Sequence, residues 1–324
     1  MPNHAESELP KVLLHSPYTA DDEIDLLELF KNLWLGKWWI ISFTVVAAAL
    51  GIAIALYLPN VYKAEALLAP SSEQQGGGLS AMAGQFGGLA SLAGINLGSS
   101  SLDKTGLAVE VAQSRQFITR FIRQHKLEVP LLAVTKMDKA SGKLVIDPML
   151  YNEATQKWVR EVPEGKPVEP TDWELVKAFK ALALVTQDKK TGLVTVSIDY
   201  FSPTVAKQWV DWLIADLNQT MKERDQTESK HNIAYLKEQL AKTSIADMQS
   251  VFYKLIEEQT KTLMLTEVSQ EYVFKTIDPA VVSEEKAKPK RGLIVVLACV
   301  IGGMLGVLVV LVRYALLARK KHEM

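Results

Sequence analysis

Residues able to carry acid–base or metal chemistry are few and scattered in this sequence. Only His125 and His231 of the five histidines lie between its two long apolar runs, and neither has a Cys or His at the spacing of a metal site. Acidic pairs such as Glu257 and Glu258 are typical of solvated faces. Phosphate-loop and nucleophile-elbow motifs do not occur in the sequence. We therefore predict no catalytic, cofactor-binding or metal site, and a protein that works by shape and assembly.

The spacing of small residues does support one kind of interaction, the close packing of helix backbones. In lipid there is little hydrophobic drive between helices, so small residues that allow close approach supply the packing. Either of two small-residue stripes fits against the other apolar run or against a neighbouring subunit, and together they predict an assembled bundle. The stripes are Ala47, Gly51 and Ala55 in the first run, and Ala298, Gly302, Gly303 and Gly306 in the second.

The two apolar runs are long enough to cross a membrane. Residues 40–58 hold 19 positions and residues 292–312 hold 21 positions without a charge. At about 1.5 Å per residue each helix spans roughly 30 Å, the thickness of the hydrocarbon core of a bilayer. A cleaved signal peptide fits poorly, because the first run follows 39 residues that lack a short basic n-region. We predict transmembrane helices at 40–58 and 292–312.

The tails indicate the orientation. Residues 313–324 carry four Lys and Arg side chains, which favours the cytoplasm. Two spans place both termini on one side, so the tail 1–39 is also expected there, with an amphipathic helix that lies on the bilayer or docks a partner. Residues 59–291 then form a domain that faces outward, into the periplasm if the cell is Gram-negative. The single cysteine, Cys299, lies in the second run, and the net charge of −1 does not suggest a nucleic-acid partner.

The domain between the spans is predicted to be α+β. Alternating apolar residues predict strands, and apolar residues at helical spacing predict helices. The expected strands are 60–70, 193–200 and 271–282, and the expected shorter helices are 106–127 and 172–185. The strands nearest the two spans are expected to pair in a small sheet. The glycine-rich residues 71–101 and the turn-rich residues 136–170 are interpreted as insertions.

A long helix and two prolines complete the plan. Ser202 is the expected N-cap and Pro203 the first residue of a helix over about 203–265, because Gly and Pro are absent from there to Pro279. Its narrow apolar stripe predicts coiled-coil packing on another helix. Pro279 and Pro289 are expected to act as a hinge that separates the domain from the second span.

Four further stretches of the sequence have a characteristic order and spacing. They are EIDLLELFKNLWLGKWWII at 23–41, SIDYFSPTVAKQWVDWLIADLN at 197–218, FKTIDPAVV followed by KPKRG at 274–292, and GGMLG at 302–306. These stretches resemble one known family, the polysaccharide co-polymerases or Wzz-type chain-length determinants of bacterial inner membranes. Their order and spacing match the family along nearly the whole chain, although Ser283 and Glu284 stand where the family has another proline.

This resemblance implies a non-enzymatic regulator of chain length in lipopolysaccharide biosynthesis, with O-antigen as its polysaccharide. It implies a periplasmic α/β base that carries a long helical extension, assembled as a homo-oligomer of about eight protomers. The implied partners are the membrane lipid, the polysaccharide polymerase and the growing glycan.

Two alternatives from other classes stay open. One is a structural adaptor of an envelope export assembly, which a projecting helical hairpin would also suit. The other is a co-polymerase for capsule or exopolysaccharide with a separate kinase, since the twelve residues after the second span are too few for a kinase domain.

Overall fold

The computed structural model describes residues 33–71, 104–138 and 140–322, and for residues 315 and 317–322 it describes the backbone alone. Most of the expected amphipathic helix and nearly all of the glycine-rich insertion lie outside the described residues. In chain order the elements are α1 (Lys37–Tyr57), β1 (Tyr62–Pro70), α2 (Lys104–Gln113), α3 (Arg115–Gln124), α4 (Glu128–Leu132), β2 (Val134–Met137), β3 (Leu144–Ile146), β4 (Tyr151–Asn152), β5 (Lys157–Trp158), α5 (Asp172–Leu182), β6 (Ala183–Gln187), β7 (Val194–Tyr200), α6 (Pro203–Lys242), α7 (Ala246–Val268), β8 (Phe274–Asp278) and α8 (Arg291–His322).

The chain forms two compact units, and the first contains the apolar helices α1 and α8. Both are long and apolar enough to cross a membrane by length and composition. Only 11% of the most apolar window of α1 and 17% of that of α8 is buried within the protein. They are therefore not the enclosed core helices of a soluble fold. The helices begin slightly before the spans expected at 40–58 and 292–312, and α8 continues beyond its span.

The second unit, residues 58–290, is built on a four-stranded antiparallel sheet in the order β6-β7-β1-β8. Alternate residues of β1 and β7 point into the core, as the period of two in a strand requires. Ala66 lies opposite Val196, for example, and both are buried. As predicted, the strand after the first span pairs with the strand before the second span, β1 with β8. Two small hairpins, β2-β3 and β4-β5, occupy the turn-rich insertion.

Helices cover the sheet with large buried side chains. The ring of Trp209 on α6 lies 4.5 Å from that of Tyr200 on β7, and both rings are buried. The buried rings of Phe121 on α3 and Phe179 on α5 lie 5.3 Å apart. Each of these aromatic pairs contributes about 1 kcal/mol beyond its buried area. The unit is thus α+β, as predicted.

The shorter helices end earlier than the sequence predicted. The helix expected over 106–127 is two helices, because Ser114 has an extended backbone and its hydroxyl accepts a bond from the Phe117 N–H at 3.3 Å. Such a side-chain bond starts a new helix at its N-cap. The helix expected over 172–185 ends at Leu182, and Ala183 begins the edge strand β6.

The prediction of a single long helix over about 203–265 was wrong. α6 does begin at Pro203, with Ser202 as N-cap, but it ends at Lys242, and α7 begins at Ala246. Thr243 and Ile245 have extended backbones, and the Gln249 side chain donates to the Thr243 carbonyl at 2.8 Å.

The two helices form a hairpin because both carry the same apolar stripe. Leu236 on α6 packs with Phe252 and Leu255 on α7, and these three side chains are buried. In one continuous helix both halves of this stripe would be exposed to water. Apolar surface that stays exposed forgoes about 25 cal/mol of stabilising free energy for each Å². The predicted helix-on-helix packing is therefore present within one chain.

Candidate functional site

The small-residue stripes of α1 and α8 face each other. A Cβ atom added at Gly51 would lie 2.6 Å from the Cβ of Ala298, and one added at Gly302 would lie 2.5 Å from the Cβ of Ala47. Ala55, one turn after Gly51, is 2% exposed. Because real Cβ atoms do not approach so closely, the contact requires glycine at both positions.

The close contact continues along both helices. A Cβ added at Gly306 would lie 2.8 Å from the Ile40 Cα, whereas one at Gly303 would meet only the Thr44 hydroxyl, at an ordinary 3.6 Å. Gly36, just before α1, is as crowded against Val310, and the sequence reading did not identify it. The stripes therefore pack the two helices of one chain against each other. This is the predicted arrangement in which each stripe fits against the other apolar run.

The expected hinge prolines lie at two ends of regular structure. Pro279 follows the last residue of β8, and Pro289 precedes α8, after a cis peptide bond with Lys288. The hinge role of both prolines stays a prediction.

The residue before Pro289 is held firmly by the sheet unit. The Val61 N–H donates to the Lys288 carbonyl at 2.9 Å, and the N–H groups of Ala287 and Lys288 donate to the Val61 carbonyl at 2.8 and 3.2 Å. The Lys288 ammonium lies 2.8 Å from an Asp199 carboxylate oxygen on β7. We call this set of contacts the latch. It joins the chain that enters the unit to the chain that leaves it.

Asn218 has a structural role that was not predicted from the sequence. It is 5% exposed and lies on α6 among apolar neighbours. Its Oδ1 accepts bonds from the N–H groups of Val273 and Phe274, both at 2.9 Å, and its Nδ2 donates to the Phe274 carbonyl at 3.2 Å. The side chain thereby replaces a neighbouring strand at the start of β8. Its burial also argues against the glycosylation that the sequence Asn-Gln-Thr would permit.

Asp225 makes a second set of polar contacts, at the base of the helical hairpin. Its carboxylate accepts a bond from the Tyr272 hydroxyl at 2.7 Å and an ion pair from Lys104 at 2.9 Å. The Lys104 ammonium also lies 5.9 Å from the centre of the Tyr272 ring. Asp225 thus connects α6 to the start of α2 and to the segment before β8.

His125 is explained by packing between helices. Its ring stacks on Trp212 at 4.3 Å, and its Nε2 lies 2.9 Å from an Asp216 carboxylate oxygen. On the same surface Arg120 bonds Thr220. Within the described parts of the chain, no three His, Cys, Asp or Glu side chains cluster as metal ligands do.

An ion pair fixes the start of α5. Both terminal nitrogens of Arg160 bond the Glu174 carboxylate, at 3.1 and 2.8 Å, and the same carboxylate accepts the Thr171 N–H at 2.9 Å. The Arg160 bonds, and then the Thr171 bond, lower the pKa of Glu174 to about 2. Glu174 is the third residue of a capping box, and this explains its position.

The described residues therefore offer several well-defined packing contacts. They comprise a glycine-lined helix pair, a sheet unit whose two chain ends are latched together, and an apolar-cored helical hairpin.

Comparison with known proteins gives two family matches. Residues 22–125 match a family described as "Chain length determinant protein", of the Wzz type, and residues 243–315 match one described as "G-rich domain on putative tyrosine kinase". No protein among those with curated descriptions matches the sequence. These matches confirm the resemblance found from the sequence.

Two solved structures described as polysaccharide co-polymerases align with most of the chain. A full-length bacterial polysaccharide co-polymerase is 16% identical, with a TM-score of 0.38, over 90% of this chain and 98% of the other. A fragment of the polysaccharide co-polymerase WzzB from Salmonella Typhimurium is 15% identical, with a TM-score of 0.28, over 71% of this chain and 100% of the other.

Proposed function

We propose that this chain is a Wzz-type chain-length determinant and that it regulates the length of a bacterial polysaccharide as an oligomeric scaffold on an inner-membrane polymerase. The polysaccharide is O-antigen of lipopolysaccharide, and regulation sets its modal length. In this proposal the protein itself makes and breaks no glycosidic bond.

The observation that carries the proposal is the family match to chain length determinants at residues 22–125. That segment contains α1 and β1, and the second matched segment, 243–315, contains α7 and β8 and most of α8. The matched segments thus include both apolar helices and the two strands that pair across the domain. The features that define this fold lie where the family descriptions apply.

The packing surfaces support a scaffold. The helix pair is held by glycine contacts and the sheet unit is latched at its chain ends, so each unit by itself offers a well-packed surface on which a partner can be positioned. In the proposed mechanism, about eight protomers assemble, and contacts through the spans or the helical hairpin set how long the growing glycan stays with the polymerase. Both termini lie in the cytoplasm, and residues 59–291 lie in the periplasm.

The decisive experiment is a gel of surface polysaccharide from cells that lack the protein and from cells in which it is restored. We expect a cluster of preferred lengths to collapse to an unregulated ladder and to return on complementation. An unchanged ladder for every polysaccharide would refute chain-length control and favour the adaptor of an export assembly. Purified protein that alone extended or cleaved glycan would refute the scaffold.

One observation favours a second candidate, a co-polymerase for capsule or exopolysaccharide that works with a separate kinase. The match at 243–315 is to a domain described on putative tyrosine kinases. The same deletion strain discriminates between the two candidates. A changed capsule or exopolysaccharide with an unchanged lipopolysaccharide ladder would select this one.

A further inference from the structure

One face of α7 near its C-terminal end is apolar and uncovered. Met264 is 62% exposed and Val268 is 83% exposed, the latter among the most exposed apolar side chains described. With Lys261, Leu265 and Ser269 they line a shallow depression. Their spacing of three and four residues places them on one side of the helix. We call these five residues the α7 stripe.

The α7 stripe is separate from the surface that holds the hairpin together. Phe252, Leu255 and Thr266 are the buried residues of α7, and the first two pack with Leu236 of α6. Thr266, two residues from Met264, points to the other side of the helix and is fully buried. An uncovered apolar stripe on an otherwise well-packed helix is typical of a surface that has a partner.

The two ends of residues 72–103 are connected to the segment that follows this stripe in the chain. The Ser71 N–H donates to the Val273 carbonyl at 3.0 Å. At the other end, Lys104 pairs with Asp225, which also accepts the Tyr272 hydroxyl. Ser71 is therefore bonded to Val273, which follows Val268 closely in the chain, and Lys104 is connected to Tyr272 of the same segment through Asp225. Half of the segment, extended at about 3.3 Å per residue, could reach roughly 50 Å, far more than the length of the stripe.

The composition of that segment suits an apolar surface. From Gln74 to Leu102 it has no charged residue, and a long polar linker would not need its large apolar side chains. Several of them recur at spacings of three and four, and these are Leu79, Met82, Phe86, Leu89, Leu92 and Ile95.

From these observations we infer that the α7 stripe is a docking surface for the chain's own glycine-rich segment, residues 72–103. The occupant is chosen by tethering: a segment whose two ends are connected to residues 272 and 273, just after the stripe in the chain, has a high effective concentration there, which a separate molecule lacks. This inference goes beyond the proposed function, because it concerns a contact within one protomer.

Cysteine cross-linking in the full-length chain in membranes tests the inference. In a Cys299→Ala background, Val268→Cys is combined in turn with Leu79→Cys, Phe86→Cys and Leu92→Cys, and Met264→Cys serves as a second stripe position. Glu267→Cys is the control for Val268→Cys, because Glu267 is exposed and adjacent to Val268 but projects about 100° away from it round the helix. Disulfides are formed with a mild oxidant, sized on non-reducing gels and assigned by mass spectrometry.

We expect disulfides within single chains, formed at least about fivefold faster from position 268 than from position 267, because docking raises the local concentration of the two thiols. Disulfides found only between chains would overturn the inference in favour of a second copy as occupant. Equal rates from stripe and control positions, or no disulfide from any stripe pair, would also overturn it. The readout does not involve polysaccharide length, so its failure leaves the proposed function untouched.

Discussion

Replacing Gly51 by alanine tests the contact between the two apolar helices. The added Cβ would lie 2.6 Å from the Ala298 Cβ, whereas the other nearest atoms, on Ile294 and Val295, lie at an ordinary 3.7 Å. Carbon atoms pack at about 3.5–4.0 Å, so the helices would have to separate by about 1 Å at this point. Overpacking of this kind costs about 1–3 kcal/mol. We expect Gly51→Ala to lower the free energy of unfolding by that amount.

Two further variants isolate the clash from other effects. Ala298→Gly removes the atom that the new Cβ would meet, so the double variant Gly51→Ala/Ala298→Gly should return to within about 1 kcal/mol of the parent stability. Gly292→Ala is the matched control, because a Cβ there meets no atom within 4 Å. Alanine is the better helix former by about 1 kcal/mol, so this control should be neutral or slightly more stable.

The assay is SDS-induced unfolding of the purified protein in mixed detergent micelles, followed by circular dichroism and tryptophan fluorescence. The free energies of the parent, the two single variants and the double variant form one thermodynamic cycle. Equal stability of Gly51→Ala and Gly292→Ala, or a double variant no more stable than Gly51→Ala, would show that the glycine contact does not hold the helices together.

Three other substitutions have defined outcomes. Asn218→Leu leaves two buried N–H groups and a carbonyl at the start of β8 without partners, so urea unfolding should show a loss of about 2–4 kcal/mol; a loss below about 0.5 kcal/mol would contradict this. Lys288→Met removes one ion pair of the exposed latch but none of its backbone bonds, so the stability should fall by less than about 1 kcal/mol, and Asp199→Asn should have no further effect in that background. Glu174→Gln should cost about 1–2 kcal/mol at pH 7. Because the folded-state pKa of Glu174 is lowered to about 2, its contribution is full above the ordinary pKa near 4.5 and is lost as the pH falls toward 2, so the parent and Glu174→Gln stability curves should converge over that range.

The stripes of small residues show how far sequence patterns reach. Spacings of four between Ala47, Gly51 and Ala55, and between Ala298, Gly302 and Gly306, follow from helix geometry alone, so the packing faces could be predicted. The sequence could not predict which two faces are in contact, because a contact within one chain and a contact between subunits need the same residues. Gly36 escaped notice because it lies outside the regular spacing.

The helical hairpin shows why other features could not be predicted. Neither Gly nor Pro occurs in the segment Thr243 to Ile245, and the apolar stripe continues across this segment at helical spacing. The chain turns there because two halves of one stripe bury each other, which is a tertiary gain that local propensity does not encode. Asn218 did leave a signal, since it is a lone amide among the buried apolar residues of α6, but its partners lie far along the chain.

The latch and the sheet order also determine when this domain can be completed during synthesis. β1 is an interior strand of the sheet, yet its neighbours β7 and β8 are made much later, β8 just before the second span. At about 5–20 residues per second, the stretch from Tyr62 to Val194 takes roughly 7–26 s to emerge, and until then β1 has no neighbouring strand. The stretch from Tyr62 to Phe274 takes roughly 10–40 s, and until then only β7 can pair with β1. Such non-local pairing folds slowly. A ribosome that stalled before residue 274 would therefore leave a membrane-anchored chain with an open strand edge, and this is the form of the protein that chaperones and proteases would meet first.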